Sequence, residues 1–230
     1  MSVLLLAAFA PELEPLAAHL GEGLRGRVGL HEVAARTIGI GLPRAAVGAA
    51  NHIANVRPRA VVAIGSCGAY AAPAGEPPLA IGDVVVGWRI RLVDRSVVAG
   101  AAQFPGPMSL EICPHAALVE GLIEAGARPV DVATTLAITV DDARTPESAG
   151  GLGAPDGTSA ARGRATVEHL EAFGVGEACA SQGVAFAALL AVANRVGPSA
   201  REEWRTHHRA AAAAAVSVVL RWLRASAVEA

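Results

Sequence analysis

The stretch Arg59–Gly68, RAVVAIGSCG, joins an apolar run that ends at Ile64 to the turn residues Gly65-Ser66-Cys67-Gly68. A short apolar run bounded by turn residues is typical of a parallel β-strand that is buried on both faces. A second run of this kind, Val184–Ala193 (VAFAALLAVA), is wholly apolar. Together the two runs predict a buried, largely parallel sheet.

Strand-like and helix-like segments alternate along the rest of the chain. Further β-forming segments are predicted at Val3–Ala8, Leu30–Ile40, Ile81–Val86, Asp131–Val140 and Ala165–His169. Helices are predicted at Pro11–Leu20, Pro43–Asn55, Pro114–Ala125, Leu170–Gln182 and Ala210–Ala225. Loops are predicted at Ala71–Leu79 and, as a mobile surface loop, at Ser148–Gly163. This alternation indicates one α/β domain, residues 1–230, around a largely parallel sheet.

Composition and charge exclude several classes of protein. Hydrophobic residues make up 53% of the 230 residues, so a large core is expected and global disorder is not. The 19 Lys+Arg and 21 Asp+Glu give a net charge of −2, which offers no basic face to a nucleic acid. The three cysteines are widely spaced and form no C-x-x-C pair, which indicates a reducing, cytoplasmic location.

Neither end of the chain predicts targeting or membrane insertion. The apolar start lacks a basic region and reaches Pro11-Glu12 early, so a buried first strand is expected instead of a signal peptide. The Ala-rich run Ala210–Leu223 contains Arg221 and is shorter than the about 20 apolar residues that span a bilayer. We therefore expect no membrane partner.

Polar side chains follow several of the predicted strands. Glu12 follows the first strand, Ser66 and Cys67 the second apolar run, Glu168 and Glu171 a short strand, and Asn194 the last. In open α/β sheets, ligands bind beyond the carboxyl ends of the strands. No histidine or cysteine cluster accompanies these residues, so we expect no metal site.

The motif Gly39-Ile40-Gly41 gives only a weak signal for dinucleotide binding. The fingerprint needs a third glycine, but position 44 is Arg44, and the motif follows a second strand instead of the first. A tight turn is the better interpretation.

Four segments, in order, carry a resemblance to a known family. They are LLLAAFAPEL at Leu4–Leu13, GIGLPRAA at Gly39–Ala46, VVAIGSCG with IGDVVV at Val61–Gly68 and Ile81–Val86, and VEHLEAF at Val167–Phe173. The set resembles the nucleoside phosphorylase and nucleosidase superfamily over nearly the whole chain. VEHLE is similar to that family's ribose-binding V-E-x-M-E signature, with Leu170 in place of methionine. The resemblance implies an α/β/α sandwich with a central mixed sheet, no cofactor, and a homo-oligomer that is at least a dimer.

The C-terminal region narrows the resemblance. VANRVGPSAREEW at Val192–Trp204 is similar to the S-N-x-V-x-P-R-x-R-x-x-W tail of futalosine hydrolases, which act in an alternative menaquinone pathway. Ala193 replaces the serine, and an arginine often found just before the motif is apolar here, within Ala187–Ala191. This likeness implies hydrolysis of futalosine to hypoxanthine and dehypoxanthine futalosine.

The resemblance assigns a role to each candidate site residue. Glu171 would accept both vicinal ribose hydroxyls, since a carboxylate has two acceptor oxygens; otherwise it is a glutamate in the first turn of a helix. Glu12 would orient or deprotonate the attacking water; otherwise it too is a first-turn helix residue. Ser66, Cys67, Gly68 and Leu170 would line the sugar site, with Cys67 a packing residue instead of a nucleophile.

Asn194 would recognise the purine base. In the related adenine-releasing nucleosidases this position is aspartate. An amide offers one acceptor for a proton on N7 and one donor to a 6-oxo group, so Asn194 favours a hypoxanthine-type base. The alternative interpretation is an asparagine that turns the chain at a strand end.

Three other functions stay open at this point. A phosphorylase would need basic groups for phosphate, for which Arg44, Arg89 and Arg91 are the nearby candidates. A methylthioadenosine or adenosylhomocysteine nucleosidase would release adenine, against which Asn194 argues. A homologue that binds nucleosides without catalysis is the third alternative.

Overall fold

The computed structural model describes residues 1–72, 77–141 and 164–225. Its strands are β1 Ser2–Ala7, β2 Arg25–Val28, β3 His31–Thr37, β4 Ala60–Ala69, β5 Val84–Leu92, β6 Glu111–Ile112, β7 Arg128–Thr134, β8 Thr166–His169 and β9 Ala185–Arg195. Its helices are α1 Ala17–Leu20, α2 Leu42–Val56, α3 Arg95–Val98, α4 Ala116–Glu124, α5 Ala172–Ser181 and α6 Ala200–Ala225. The predicted loop Ser148–Gly163 lies outside the described residues, as do residues 73–76 of the loop predicted at Ala71–Leu79.

The strands form one sheet. Its parallel core runs in the order β3, β1, β4, β9, with each strand parallel to the next. Five strands close a ring: β4 pairs with β9 and β8, β8 with β7, β7 with β5, and β5 with β9. Within the ring, β5 is antiparallel to β9 and β8 is antiparallel to β4. The sheet is therefore mixed.

Helices cover both faces of this sheet. Leu4 and Leu6 of β1 point to the layer that contains α2 and α5, and Val3 and Leu5 point to the layer that contains α4 and α6. All four leucine and valine side chains are buried because each face of β1 is covered. The predicted α/β fold with a sheet between two helical layers is confirmed.

Several predicted boundaries are wrong for physical reasons. Pro11–Leu20 is not one helix: two 3-10 turns, Ala10–Glu12 and Glu14–Leu16, each with a proline in the first turn, precede the short α1. Residues 65–68 do not form a turn, because β4 continues to Ala69 through its pairing with β9. The strand predicted at Asp131–Val140 ends at Thr134. The last helix begins at Ala200, ten residues before the predicted start.

Glycine lets α5 lie close to α2. A Cβ atom on Gly174 would lie 2.8 Å from the carbonyl oxygen of Leu42 and 3.2 Å from the amide nitrogen of Ala46. This contact places the start of α5, and with it Glu171, beside the turn that precedes α2.

We expect Gly174→Ala to lower the free energy of unfolding by about 1–3 kcal/mol. The added methyl group would clash with backbone atoms of α2, which cannot move aside as the end of a flexible side chain can. The matched control is Gly23→Ala, since Gly23 is exposed and a Cβ there meets nothing within 4 Å. Urea unfolding of both variants measures the difference. Equal stability of the two variants would contradict the close helix contact.

Candidate active site

The candidate residues from the sequence analysis all line one cavity of about 260 Å³. These residues are Glu12, Ser66, Cys67, Gly68, Leu170, Glu171 and Asn194. β1, β4 and β9 supply their parallel carboxyl ends, as expected. β8 reaches the same cavity from the opposite direction, through the pairs Gly68–Glu168 and Ala69–Val167 with β4. All seven candidate residues therefore line one cavity, together with others that the sequence analysis did not single out, and their roles stay predictions.

Glu12 lies at the end of the first 3-10 turn and is 3% exposed. Its Oε1 accepts hydrogen bonds from the Ser66 amide and the Ser66 hydroxyl, each at 2.9 Å. Its Oε2 accepts one from the Ala8 amide at 3.1 Å. A Cβ on Gly65 would lie 3.0 Å from Oε1, so glycine at this position makes room for the carboxylate. A carboxylate has about four acceptor positions, so one remains on Oε2.

Burial sets the protonation of Glu12. Removal from water raises the pKa of Glu12 to about 7, and the nearby Glu171 carboxylate adds to this effect. The donors from Ser66 and Ala8 oppose it, because they stabilise the charged form. A carboxylate with a pKa near neutrality can both accept and return a proton at ordinary pH.

Cys67, next to Ser66, is buried, and burial raises the pKa of its thiol well above the usual range. A protonated thiol is a poor nucleophile. The geometry supports the interpretation of Cys67 as a packing residue.

Glu171 precedes α5 and is held from two sides. Its Oε1 accepts a hydrogen bond from the Gly41 amide at 2.8 Å, and its Oε2 lies 3.4 Å from Nε2 of His169. Gly41 has a φ of +86°, a backbone conformation that favours glycine, so the Gly39–Gly41 turn donates an amide to this carboxylate. One acceptor position on each oxygen remains, which matches two neighbouring hydroxyl groups.

Sequence reasoning missed His169, which fixes Glu171. Its Nδ1 accepts hydrogen bonds from the amides of Ala172 at 3.0 Å and Glu171 at 3.3 Å. Since Nδ1 accepts, the proton of the neutral ring lies on Nε2, where it faces Glu171. Burial lowers the pKa of His169, although Glu171 opposes this, so the ring stays neutral at ordinary pH. The available signal was the histidine that stands between the two glutamates of VEHLE.

Glu168 has a different environment from Glu171. Its Oε2 accepts hydrogen bonds from the Tyr70 hydroxyl at 2.8 Å and the Thr139 hydroxyl at 2.5 Å, and its Oε1 accepts one from the Thr139 amide at 3.0 Å. These contacts tie the segment after β7 to β8.

Asn194 owes its position to an irregularity in β9. Cys67 pairs with Val192 and Gly68 with Asn194, so Ala193 is the extra residue of a β-bulge. The Ala193 side chain packs against Ala211 and Ala215 of α6 instead of facing the cavity. Ala193 therefore lies on the helix side of β9.

The amide group of Asn194 is oriented by its neighbours. Its Nδ2 donates to the carbonyl oxygen of Arg195 at 2.9 Å, and no described residue donates to its Oδ1. A Cβ on Gly68 would lie 2.8 Å from Nδ2, so only glycine leaves space for the amide there. One acceptor and one N–H of Asn194 remain for a ligand.

The charges near the cavity differ from the sequence expectation. Arg89 is paired with Asp131 at 2.6 Å and Arg91 with Glu111 at 2.7 Å, and neither arginine lines the cavity. Arg44 does not line it either. Arg201, in the first turn of α6, is the cation of the described lining, and sequence reasoning did not single it out.

Comparison with known proteins places this fold in a family. The model of the phosphorylase superfamily matches residues 3–224, so the chain belongs to the phosphorylase superfamily. The superfamily resemblance of the sequence is thereby confirmed. No curated protein sequence matches the chain.

Solved structures of two kinds of enzyme share the fold. A 5′-methylthioadenosine/S-adenosylhomocysteine nucleosidase from Colwellia psychrerythraea, in complex with adenine, is 18% identical with a TM-score of 0.80, over 97% of this chain and 94% of that chain. Native futalosine hydrolase of Helicobacter pylori is 14% identical with a TM-score of 0.78, over 96% of this chain and 97% of that chain. These likenesses concern the fold and do not separate the two activities.

Among the described residues there is neither a cluster that could hold a metal ion nor a helix that could cross a membrane. Over residues 1–72, 77–141 and 164–225, no group of three or more histidine, cysteine or acidic residues is arranged to hold a metal ion. Within the same ranges, every helix is too short or too polar to cross a membrane.

We expect His169→Leu to lower the free energy of unfolding by about 1–3 kcal/mol, because two buried amides lose their acceptor. His169→Asn should recover part of this loss, since an asparagine oxygen can accept from amides at a helix start. Urea unfolding measures both variants, with His19→Ala on the surface as the control. A His169→Leu protein as stable as the control would contradict the assigned contacts.

Proposed function

We propose that the chain is an N-glycosidase that hydrolyses a purine nucleoside, with futalosine as substrate and hypoxanthine and dehypoxanthine futalosine as products in menaquinone biosynthesis. One observation carries the proposal. Glu12, Glu171 and Asn194 line a single cavity, and each keeps acceptor positions that no described residue occupies. These three groups match a water, a ribose diol and a purine edge.

Glu12 activates the water in this proposal. The water oxygen forms a bond to C1′ while the bond from C1′ to the purine nitrogen breaks, and the electron pair of that bond stays on the purine. A proton of the water passes to the free acceptor position of Glu12, and N7 of the purine takes a proton from solvent. Glu12 then returns its proton to solvent, which restores the enzyme.

Glu171 binds the ribose. The transition state of this reaction resembles an oxocarbenium ion, so a carboxylate beside the sugar stabilises the charge that develops there as well as orienting the hydroxyls. The Gly41 amide and His169 hold this carboxylate in place before substrate arrives. Such preorganisation is the usual source of electrostatic catalysis.

Asn194 selects the base. Its Oδ1 accepts the proton on N7, and its second N–H donates to a 6-oxo group. A 6-amino group is itself a hydrogen-bond donor and cannot accept from the Asn194 N–H. A buried mismatch of that kind discriminates strongly between the two bases. This argument favours hypoxanthine over adenine, and the tail sequence Val192–Trp204 favours futalosine among hypoxanthine nucleosides.

A phosphorylase is the second candidate, because Arg201 lines the cavity. Three observations favour water over phosphate. The carboxylates of Glu12 and Glu171 both line the cavity and repel an anion. Arg89 and Arg91 are paired with carboxylates elsewhere. The N-terminal turn presents Phe9 and Glu12 to the cavity, with no basic residue among those of the turn that line it.

Product analysis tests the proposal. Purified protein is incubated with futalosine, inosine and methylthioadenosine, each with and without inorganic phosphate, and the bases and sugars are separated by chromatography. The proposal requires hypoxanthine from futalosine without phosphate, with a free hydroxyl at C1′. Formation of a sugar 1-phosphate would support a phosphorylase, release of adenine an adenine nucleosidase, and tight binding without turnover a non-catalytic homologue.

We expect kcat/KM to rise with pH through about 7 and then level off, because Glu12 must be ionised to accept the proton of water. Glu12→Gln should lower kcat by about 10²–10⁴-fold and remove this dependence. Steady-state hydrolysis from pH 5.5 to 8.5 measures both effects. Glu14→Gln is the matched control, since Glu14 is exposed and paired with Arg209. A wild-type profile that is flat over this range would contradict the role of Glu12.

We expect Asn194→Asp to reduce hypoxanthine release relative to adenine release by at least about tenfold. A carboxyl group facing the Arg195 carbonyl must keep a proton to donate there, so it has no second donor for a 6-oxo group. The ratio of kcat/KM for paired 6-oxo and 6-amino nucleosides measures the change. Asn51→Asp, on the exposed face of α2, is the control. An unchanged ratio would mean that Asn194 does not contact the base edge.

A further inference from the structure

A tryptophan from α6 completes the surroundings of Glu12. The indole Nε1 of Trp204 donates a hydrogen bond to the Ser66 hydroxyl oxygen at 3.0 Å. The same hydroxyl donates to Oε1 of Glu12 at 2.9 Å. The three side chains, which we call the Trp–Ser–Glu chain, come from α6, β4 and the first 3-10 turn. Two of them are 138 residues apart in the sequence.

The direction of these hydrogen bonds is fixed by chemistry. An indole N–H is a donor only, so the Ser66 oxygen must be its acceptor. A serine hydroxyl has one proton, and this proton is left to point at Glu12. The free position for a proton on Glu12 lies on Oε2, so Oε1 accepts this bond in either state, but the bond is stronger to a charged carboxylate. The geometry thus favours the carboxylate form of Glu12.

We propose that Trp204 is a positioning residue, whose indole N–H orients the Ser66 hydroxyl toward Glu12 and so keeps Glu12 in the carboxylate form that accepts the proton of water. The catalytic part of this inference rests on the proposed function. The orientation of Ser66 and the protonation of Glu12 do not rest on it.

Trp204 is itself held rigidly. Its ring stacks on His208, with centroids 4.4 Å apart, and contacts Phe9 at 5.8 Å. The preceding residue, Glu203, accepts hydrogen bonds from the Arg195 amide at 2.7 Å and the Ser199 hydroxyl at 3.0 Å. These contacts fasten the start of α6 to the end of β9. The indole N–H therefore has a fixed position relative to β4.

Other charged and titratable groups also face this region. They are Cys67 on β4, Glu168 on β8, Glu171 with His169 at the start of α5, Arg201 and His208 on α6, and the Glu14–Arg209 pair beside the 3-10 turns. Trp204→Phe retains all of them and keeps an aromatic ring against His208 and Phe9. It removes the N–H together with part of the ring, so comparison with Ser66→Ala and with the double variant separates the loss of the N–H from the loss of ring packing.

The experiment is a direct titration of Glu12. Protein labelled with ¹³C at the glutamate carboxyl groups is titrated by NMR, and the Glu12 signal is assigned by its loss in Glu12→Gln. We expect Trp204→Phe to raise the pKa of Glu12 by about 0.5–1 unit, because the hydroxyl is no longer forced to stabilise the charged form. Ser66→Ala should raise it at least as much. The double variant should match Ser66→Ala, since Trp204 acts through Ser66.

Activity gives the second readout. The acid limb of kcat/KM should move by the same amount in Trp204→Phe, which is a loss of about 3- to 10-fold below the limb and little loss above it. Trp88→Phe, on the exposed part of β5, is the control and should leave both readouts unchanged.

Three results of the titration would overturn the inference. They are an unchanged Glu12 pKa in Trp204→Phe, an unchanged pKa in Ser66→Ala, or a double variant whose shift is the sum of the single shifts. A loss of kcat/KM equal at every pH would also overturn it, because packing alone would explain that loss. If the pKa shifts as expected but the wild type hydrolyses no nucleoside, the positioning of Glu12 stands and the proposed function fails.

Discussion

The burial of one carboxylate is the constraint on which the rest of the site depends. Glu12 is almost fully removed from water, and a charged group in that position is unstable unless donors surround it. The Ala8 amide, the Ser66 amide and the Ser66 hydroxyl supply those donors. The opposition of burial and donors brings the pKa of Glu12 to about 7, where the group can exchange a proton with water. A more exposed glutamate would be ionised but weakly basic, and one without donors would remain protonated.

The fold provides this environment through glycine and irregular strand pairing. Gly65 leaves space for Glu12, Gly68 leaves space for Asn194, and the bulge at Ala193 brings Asn194 opposite Gly68. The antiparallel entry of β8 brings Glu171 to the same cavity from another direction. A purely parallel sheet would place the carboxyl ends of its strands along one edge. Here β4 and β9 reach the cavity from one direction and β8 reaches it from the opposite one.

The sequence predicted those parts of the site that are local in the chain. Buried strands are visible as apolar runs, and the polar residues that follow them, Glu12, Ser66, Glu171 and Asn194, do line the cavity. The sequence did not predict contacts between distant residues, such as Trp204 with Ser66 or Glu171 with Gly41. It also misjudged the start of α6, because the polar stretch REEWRTHHR has no apolar periodicity of its own and is helical in its tertiary context. His169 was missed because its function depends on the amides of the next helix.

The most direct measurement of the central claim is a crystal structure with a purine nucleoside analogue whose base is joined to the sugar by a carbon–carbon bond that water cannot cleave. The account predicts both ribose hydroxyls on the carboxylate of Glu171, the purine edge on the amide of Asn194, and a water molecule between Glu12 and C1′. Binding of the analogue outside this cavity, or within it with the sugar turned away from Glu171, would contradict the account.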